Sequence, residues 1–131
     1  MVTPDQDWEE KWKTPSDTIP YFSETKSVSF GKKIFVLIFF SNPALSQNGE
    51  ASVTCDLEVI RPNGTYSIQQ SDLVCFKGVL NGPQTNLYLS APVIVFVGES
   101  GDPPGKWEVR VTLKDQVKST AMQLETSFTL Q

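Results

Sequence analysis

The fold is decided by the stretch Gly101-Asp102-Pro103-Pro104-Gly105, followed by Lys106-Trp107-Glu108-Val109-Arg110-Val111-Thr112-Leu113-Lys114, a link Asp115-Gln116-Val117-Lys118-Ser119, and then Thr120 to Leu130. In the first arm Trp107, Val109, Val111 and Leu113 alternate with Lys106, Glu108, Arg110, Thr112 and Lys114. A two-residue period places one apolar set and one polar set on opposite faces of a strand. In the second arm Met122, Leu124, Phe128 and Leu130 share a face, interrupted by Thr126. The pattern predicts a long antiparallel hairpin with one face against a core.

Working outward, Ala51 to Ile60 alternates in the same way, with Ala51, Val53, Cys55, Leu57 and Val59 inward. Arg61-Pro62-Asn63-Gly64-Thr65 is turn chemistry, because Asn-Gly tolerates the positive φ of a tight hairpin. The match of Asn63-Gly64-Thr65 to a glycosylation sequon is read as that same turn chemistry. Tyr66 to Gln70 is expected to return as an edge strand, and Asp72 to Phe76 to form a further short one. Asn86 to Val97 is expected to be a strand broken at Pro92, with Leu87, Leu89, Val93, Val95 and Val97 inward. Lys32 to Ser41 contains the unalternating run Ile34 to Phe40, which predicts one central strand covered on both faces. Ile19 to Phe22 and Lys26 to Phe30 are short strand candidates. Loops are expected at Asn42 to Glu50, Gly78 to Thr85 and Gly98 to Gly105. The sum is an all-β chain, an antiparallel β-sandwich of seven to nine strands over residues 19–131.

Residues 1–18 differ from the rest. Asp5, Asp7, Glu9, Glu10 and Asp17 make this segment acidic, and Pro4 and Pro15 punctuate it. Trp8 and Trp12 stand four apart, so a short helix from about Pro4 to Lys13 would set both indoles on one face. Two readings stay open: a flexible acidic leader, or a short helix docked on the body or on a partner.

Composition excludes several classes of function. The 131 residues fit one domain, with 39% hydrophobic and 20% charged residues. The net charge is −4, which disfavours nucleic acid, and the Lys and Arg residues form no cluster for an anionic membrane. The longest apolar run has seven residues, far below the roughly 20 that cross a bilayer as a helix. Histidine is absent, which rules out Ser-His and Cys-His nucleophilic mechanisms. No cofactor-binding or metal-binding motif occurs, and the expectation is that the chain is not an enzyme. The opening Met1-Val2-Thr3-Pro4-Asp5 lacks a basic segment followed by an apolar one, so either a leader was removed or the setting is cytosolic.

The stretch Gly105 to Asp115 with Phe128-Thr129-Leu130 resembles the last two strands of immunoglobulin-like and macroglobulin-like domains of bacterial secreted proteins. Phe30-Gly31-Lys32-Lys33-Ile34 resembles their early strand entry. The resemblance covers roughly residues 27–131 and implies a periplasmic or extracellular protein with a binding or structural role and no catalytic residues. The chain departs from the antibody pattern, since no Trp lies between Cys55 and Cys75 and their spacing is short for a bridge between sheets.

Cys55 lies on an inward face, and the turn at Arg61 to Thr65 can return Cys75 to its neighbourhood if a bulge falls near Gln70 to Asp72. A disulfide and two separate buried thiols both fit that placement. The resemblance to secreted domains favours the disulfide. Glu99 and Asp102 lie in a Gly/Pro-rich loop and are read first as solvated turn residues, with a weak second reading as oxygen ligands. Tyr66, Trp8 and Trp12 are the other candidate binding residues. The expected partner is a protein met through loops or through the edge near Tyr66 to Gln70, with carbohydrate as the alternative ligand. A carbohydrate-binding module needs an exposed aromatic strip, whereas an adhesin or pilus-type subunit needs a donated strand. The chain is expected to be a monomer or a homodimer.

Overall fold

The structure, a computed structural model, describes residues 1–12, 23–91 and 93–131. Its elements are β1 (Val2–Thr3), α1 (Trp8–Trp12), β2 (Ser27–Val28), β3 (Lys33–Val36), β4 (Phe39–Ser41), β5 (Glu50–Ile60), β6 (Tyr66–Val79), β7 (Leu87–Leu89), β8 (Ile94–Val97), β9 (Gly105–Asp115) and β10 (Thr120–Leu130). The chain is mainly β. Five strands form one sheet in the order β2-β10-β9-β5-β6, three form another as β1-β3-β8, and β4 pairs with β7.

The hairpin predicted from alternation is β9 and β10, in register without a shift from Thr120 opposite Asp115 to Leu130 opposite Gly105. Trp107, Val109, Val111, Leu113, Phe128 and Leu130 are buried. Met122 departs from the expectation and is 62% exposed. Burial along β10 grows from its turn end toward Leu130, so the apolar face continues beyond its cover.

Three rings join the three-stranded sheet to the five-stranded one. Phe96 of β8 lies 4.9 Å from Trp107 and 4.7 Å from Phe128, which are cross-strand partners on β9 and β10. Trp107 Nε1 donates to the Pro103 carbonyl at 3.0 Å, so the indole is buried with its polar atom satisfied. At the other end Phe40 and Tyr88 pack on Phe76 of β6 at 5.9 and 6.2 Å. The Tyr88 hydroxyl donates to the Pro83 carbonyl at 2.7 Å.

Several expectations are corrected. Lys32 to Ser41 is not one strand. It is β3 and β4, in different sheets, joined through buried Leu37 and Ile38. The reason lies in the backbone: the Leu37 amide donates to the Met1 carbonyl at 2.9 Å, and the Ile38 carbonyl accepts from the Ser90 amide at 2.9 Å. Asn86 to Val97 breaks as expected, into β7 and β8, with Pro92 itself outside the described residues. Its faces are reversed from the reading. Tyr88 and Ile94 are buried, whereas Leu87 and Val95 are 54% and 53% exposed. Tyr66 to Gln70 and Asp72 to Phe76 are one strand, β6, which runs on to Val79 and into the expected loop. Lys26 to Phe30 shortens to β2, and Ile19 to Phe22 lies outside the described residues. Among the described residues the N-terminal helix is Trp8–Trp12, starting later than Pro4 and with Lys13 outside them, and β1 before it pairs with β3.

Cys55 and Cys75 form a disulfide, with Cα atoms 5.9 Å apart. Both are fully buried, and they join the neighbouring strands β5 and β6 within one sheet. Closing a loop of this length stabilises a fold by about 3 kcal/mol in the chain-entropy estimate. Two outcomes are expected. Denatured, unreduced protein shows no titratable thiol, and reduction lowers the urea midpoint. Trp107→Ala empties the ring cluster and costs about 3–5 kcal/mol by urea unfolding, whereas a loss below about 1 kcal/mol would contradict this packing.

Candidate functional site

The edges of the two larger sheets, β6 and β8, approach one another at one end. There the Ala91 amide donates to the Cys75 carbonyl at 2.7 Å. Farther along, a groove of about 340 Å³ lies between them. Ser67 and Ile68 of β6 form one wall, and Ile94 to Val97 of β8 form the other. Val59, Trp107, Val109 and Phe128 supply an apolar floor.

Glu99 and Asp102 also line this groove. They close a tight turn on each other. The Asp102 amide donates to the Glu99 carbonyl at 3.0 Å, and the Glu99 amide donates to Asp102 Oδ2 at 2.9 Å. The residue before this turn is Gly98, where an added Cβ would run into the Leu130 side chain. The turn reading of the two acids therefore stands, and the same turn sets both residues in the lining of the groove.

The chemistry available here is limited. Among the described residues no group of three or more His, Cys, Asp or Glu is placed to hold a metal ion. Ser67 is a hydroxyl without a histidine to activate it. What the groove offers is apolar surface, a strand edge and negative charge.

The other candidates lie elsewhere. Tyr66 begins β6, next to Ser67, and is 46% exposed. Its carbonyl accepts from Arg61 Nη1 at 2.7 Å. Trp8 and Trp12 dock on Phe35 and Phe39 at 6.2 and 5.4 Å, which favours the docked over the flexible reading for α1. Phe35 alternates with Ile34 and Val36, which belong to the main core, so α1 covers the opposite face of β3. Asp5 ties this segment down. Its Oδ2 accepts from Lys11 Nζ at 2.7 Å and from the Ser23 amide at 2.8 Å, and these bonds, Lys11 first, hold its carboxyl below the usual value.

The edge at β6 is irregular. Fourteen residues of β6 oppose eleven of β5, and three register shifts absorb the excess. One shift falls at Ser71 and Asp72, as the placement of Cys75 required, and Asp72 has a φ of 57°. Bulges of this kind break the ladder and protect an edge from further pairing. Here the Asp72 amide donates to Asp56 Oδ1 at 2.9 Å, while Lys114 Nζ lies 2.9 Å from Asp56 Oδ2 and 3.2 Å from Asp72 Oδ1. By contrast β8 is regular, pairing with β3 from Lys33 opposite Val97 to Val36 opposite Ile94.

Compared with protein-family models and with curated protein sequences, the chain finds no match. Phe96, Val95 and Ile68 were not singled out from sequence as site residues. The signal that marks Val95 and Phe96 is the uninterrupted apolar run Val93 to Val97 so close to the acidic loop, and no such signal marks Ile68.

The Lys114 bond, followed by the Asp72 amide, holds the Asp56 carboxyl below its ordinary value. A depressed carboxyl adds stability above its unfolded value, about 3.9, and that stability is lost as pH falls through the folded value. Asp56→Asn should therefore lower the urea midpoint at pH 7 and converge on the parent protein as pH falls through the folded value. A deficit that stayed constant across that range would show that Asp56 acts through something other than its charge.

Proposed function

We propose that this chain is an immunoglobulin-like β-sandwich of the bacterial periplasm or cell exterior. In this reading it is a non-catalytic binding or structural accessory protein that meets a protein partner through a strand edge. The observation that carries it is the regular edge of β8, unpaired among the described residues, beside a groove lined by both apolar and acidic residues. Strand edges present backbone donors and acceptors that another chain can use, and an adjoining pocket adds side-chain selectivity.

The buried disulfide suits an oxidising compartment. Among the described residues no helix is long and apolar enough to cross a membrane. Absence of histidine removes the commonest general base. The docking of Trp8 and Trp12 on Phe35 and Phe39 leaves less aromatic surface for a sugar platform than the sequence suggested.

Three assays run on the same purified protein test this reading: a displayed random-peptide library, a glycan array and a hydrolase substrate panel. Enrichment of extended, β-forming peptides, with no glycan retained and no turnover, is the expected result. Turnover of any substrate, or retention of glycans without peptides, would overturn it.

A further inference from the structure

We propose that an extended segment of a partner protein fills the groove between β6 and β8. It adds to the free edge of β8 as a fourth strand of the three-stranded sheet and sets a basic side chain against Glu99 and Asp102. This rests on the strand-edge reading above and names its place and its ligand chemistry.

The first support is the unequal width of the sheets. One has five strands and the other three, so beside β8 the wider sheet presents half-buried Ile68 at the groove, with Val59 buried beneath. Among the described residues no backbone hydrogen bond reaches Ile94 to Val97 from the side away from β3. Four residues at about 3.3 Å each give a free edge of roughly 13 Å. A strand laid there turns alternate side chains toward Ile68. The remaining side chains flank Val95, which is 53% exposed on the opposite face.

Charge selects the occupant. Among the described residues the groove lining includes Glu99 and Asp102 and no Lys or Arg, on a chain of net charge −4. One Asp102 oxygen already accepts from the Glu99 amide, but the Glu99 side chain is exposed at the mouth. A segment of alternating apolar residues with a Lys or Arg at that end complements both features. The other edges fit less well. β6 is broken by three register shifts. β10 is regular, but the groove of about 400 Å³ beside its Thr126, Ser127 and Thr129 carries Lys26 and Lys106 against Glu24 and so offers a basic side chain no negative end.

Isotope-labelled intact protein is titrated with a synthetic octapeptide of alternating valine and threonine that carries a lysine near one end. Amide exchange is read residue by residue. The expected result is protection of amides in Ile94 to Val97, loss of binding when the peptide is N-methylated at every backbone amide, and about fivefold weaker binding to Glu99→Lys. Glu99 is exposed, so this variant keeps the fold, and the exchange map of the parent protein stands without it. Three results overturn the proposal: no binding at millimolar peptide, equal binding of the N-methylated peptide, or protection on β6 or β10 in place of β8. Protection on β6 or β10 would leave strand-edge recognition standing. Failure of the displayed library as well would remove both readings.

Discussion

Phe96 is the contact through which the three-stranded sheet reaches the five-stranded one. Its ring meets Trp107 and Phe128 at under 5 Å, and those two stack on each other at 6.2 Å across β9 and β10. Each such pair adds about 0.5–1.5 kcal/mol beyond the area it buries. The position of β8 follows from this contact. With Phe96 drawn over β9 and β10, β8 does not extend over the far edge of the wide sheet, and the groove is the space left beside it. Packing and recognition surface therefore have one origin.

The remaining devices close the structure elsewhere. The disulfide ties β6 to β5 at the point where the Ala91 amide also meets Cys75, which fixes the link between β7 and β8 against β6. Phe40, Tyr88 and Phe76 cover the wide sheet at that end. On the opposite side, the N-terminal residues complete the three-stranded sheet. β1 pairs with β3, the Met1 ammonium donates to the Leu37 carbonyl at 3.0 Å, and burial pushes that ammonium's pKa down. The two edge strands of this sheet are β1, whose Val2 carbonyl accepts from the Thr25 amide at 3.0 Å, and β8, which among the described residues has no backbone hydrogen bond on the side away from β3.

Where side chains alternate in polarity, the sequence was legible. β5, β9 and β10 follow their two-residue period because each apolar residue is flanked by polar ones, so only one assignment of faces buries the apolar set. Val93 to Val97 and Ile34 to Phe40 carry no such contrast. Either set of faces buries comparable apolar surface, and tertiary contacts chose. Tyr88 goes inward because its hydroxyl finds the Pro83 carbonyl. The break between β3 and β4 depends on bonds to Met1 and Ser90, distant in sequence. Glu99 and Asp102 were visible as an acidic loop, but their groove is made by strands some thirty residues apart, and no local pattern encodes that meeting.

The central claim is that, among the described residues, β8 is bonded on one side only. Amide hydrogen exchange of the free protein tests it most directly. The account predicts an alternation along Ile94 to Val97, with amides directed at β3 protected and their neighbours exchanging at rates near those of loops. Uniform strong protection along all four residues would mean that the edge is already covered, and would contradict it.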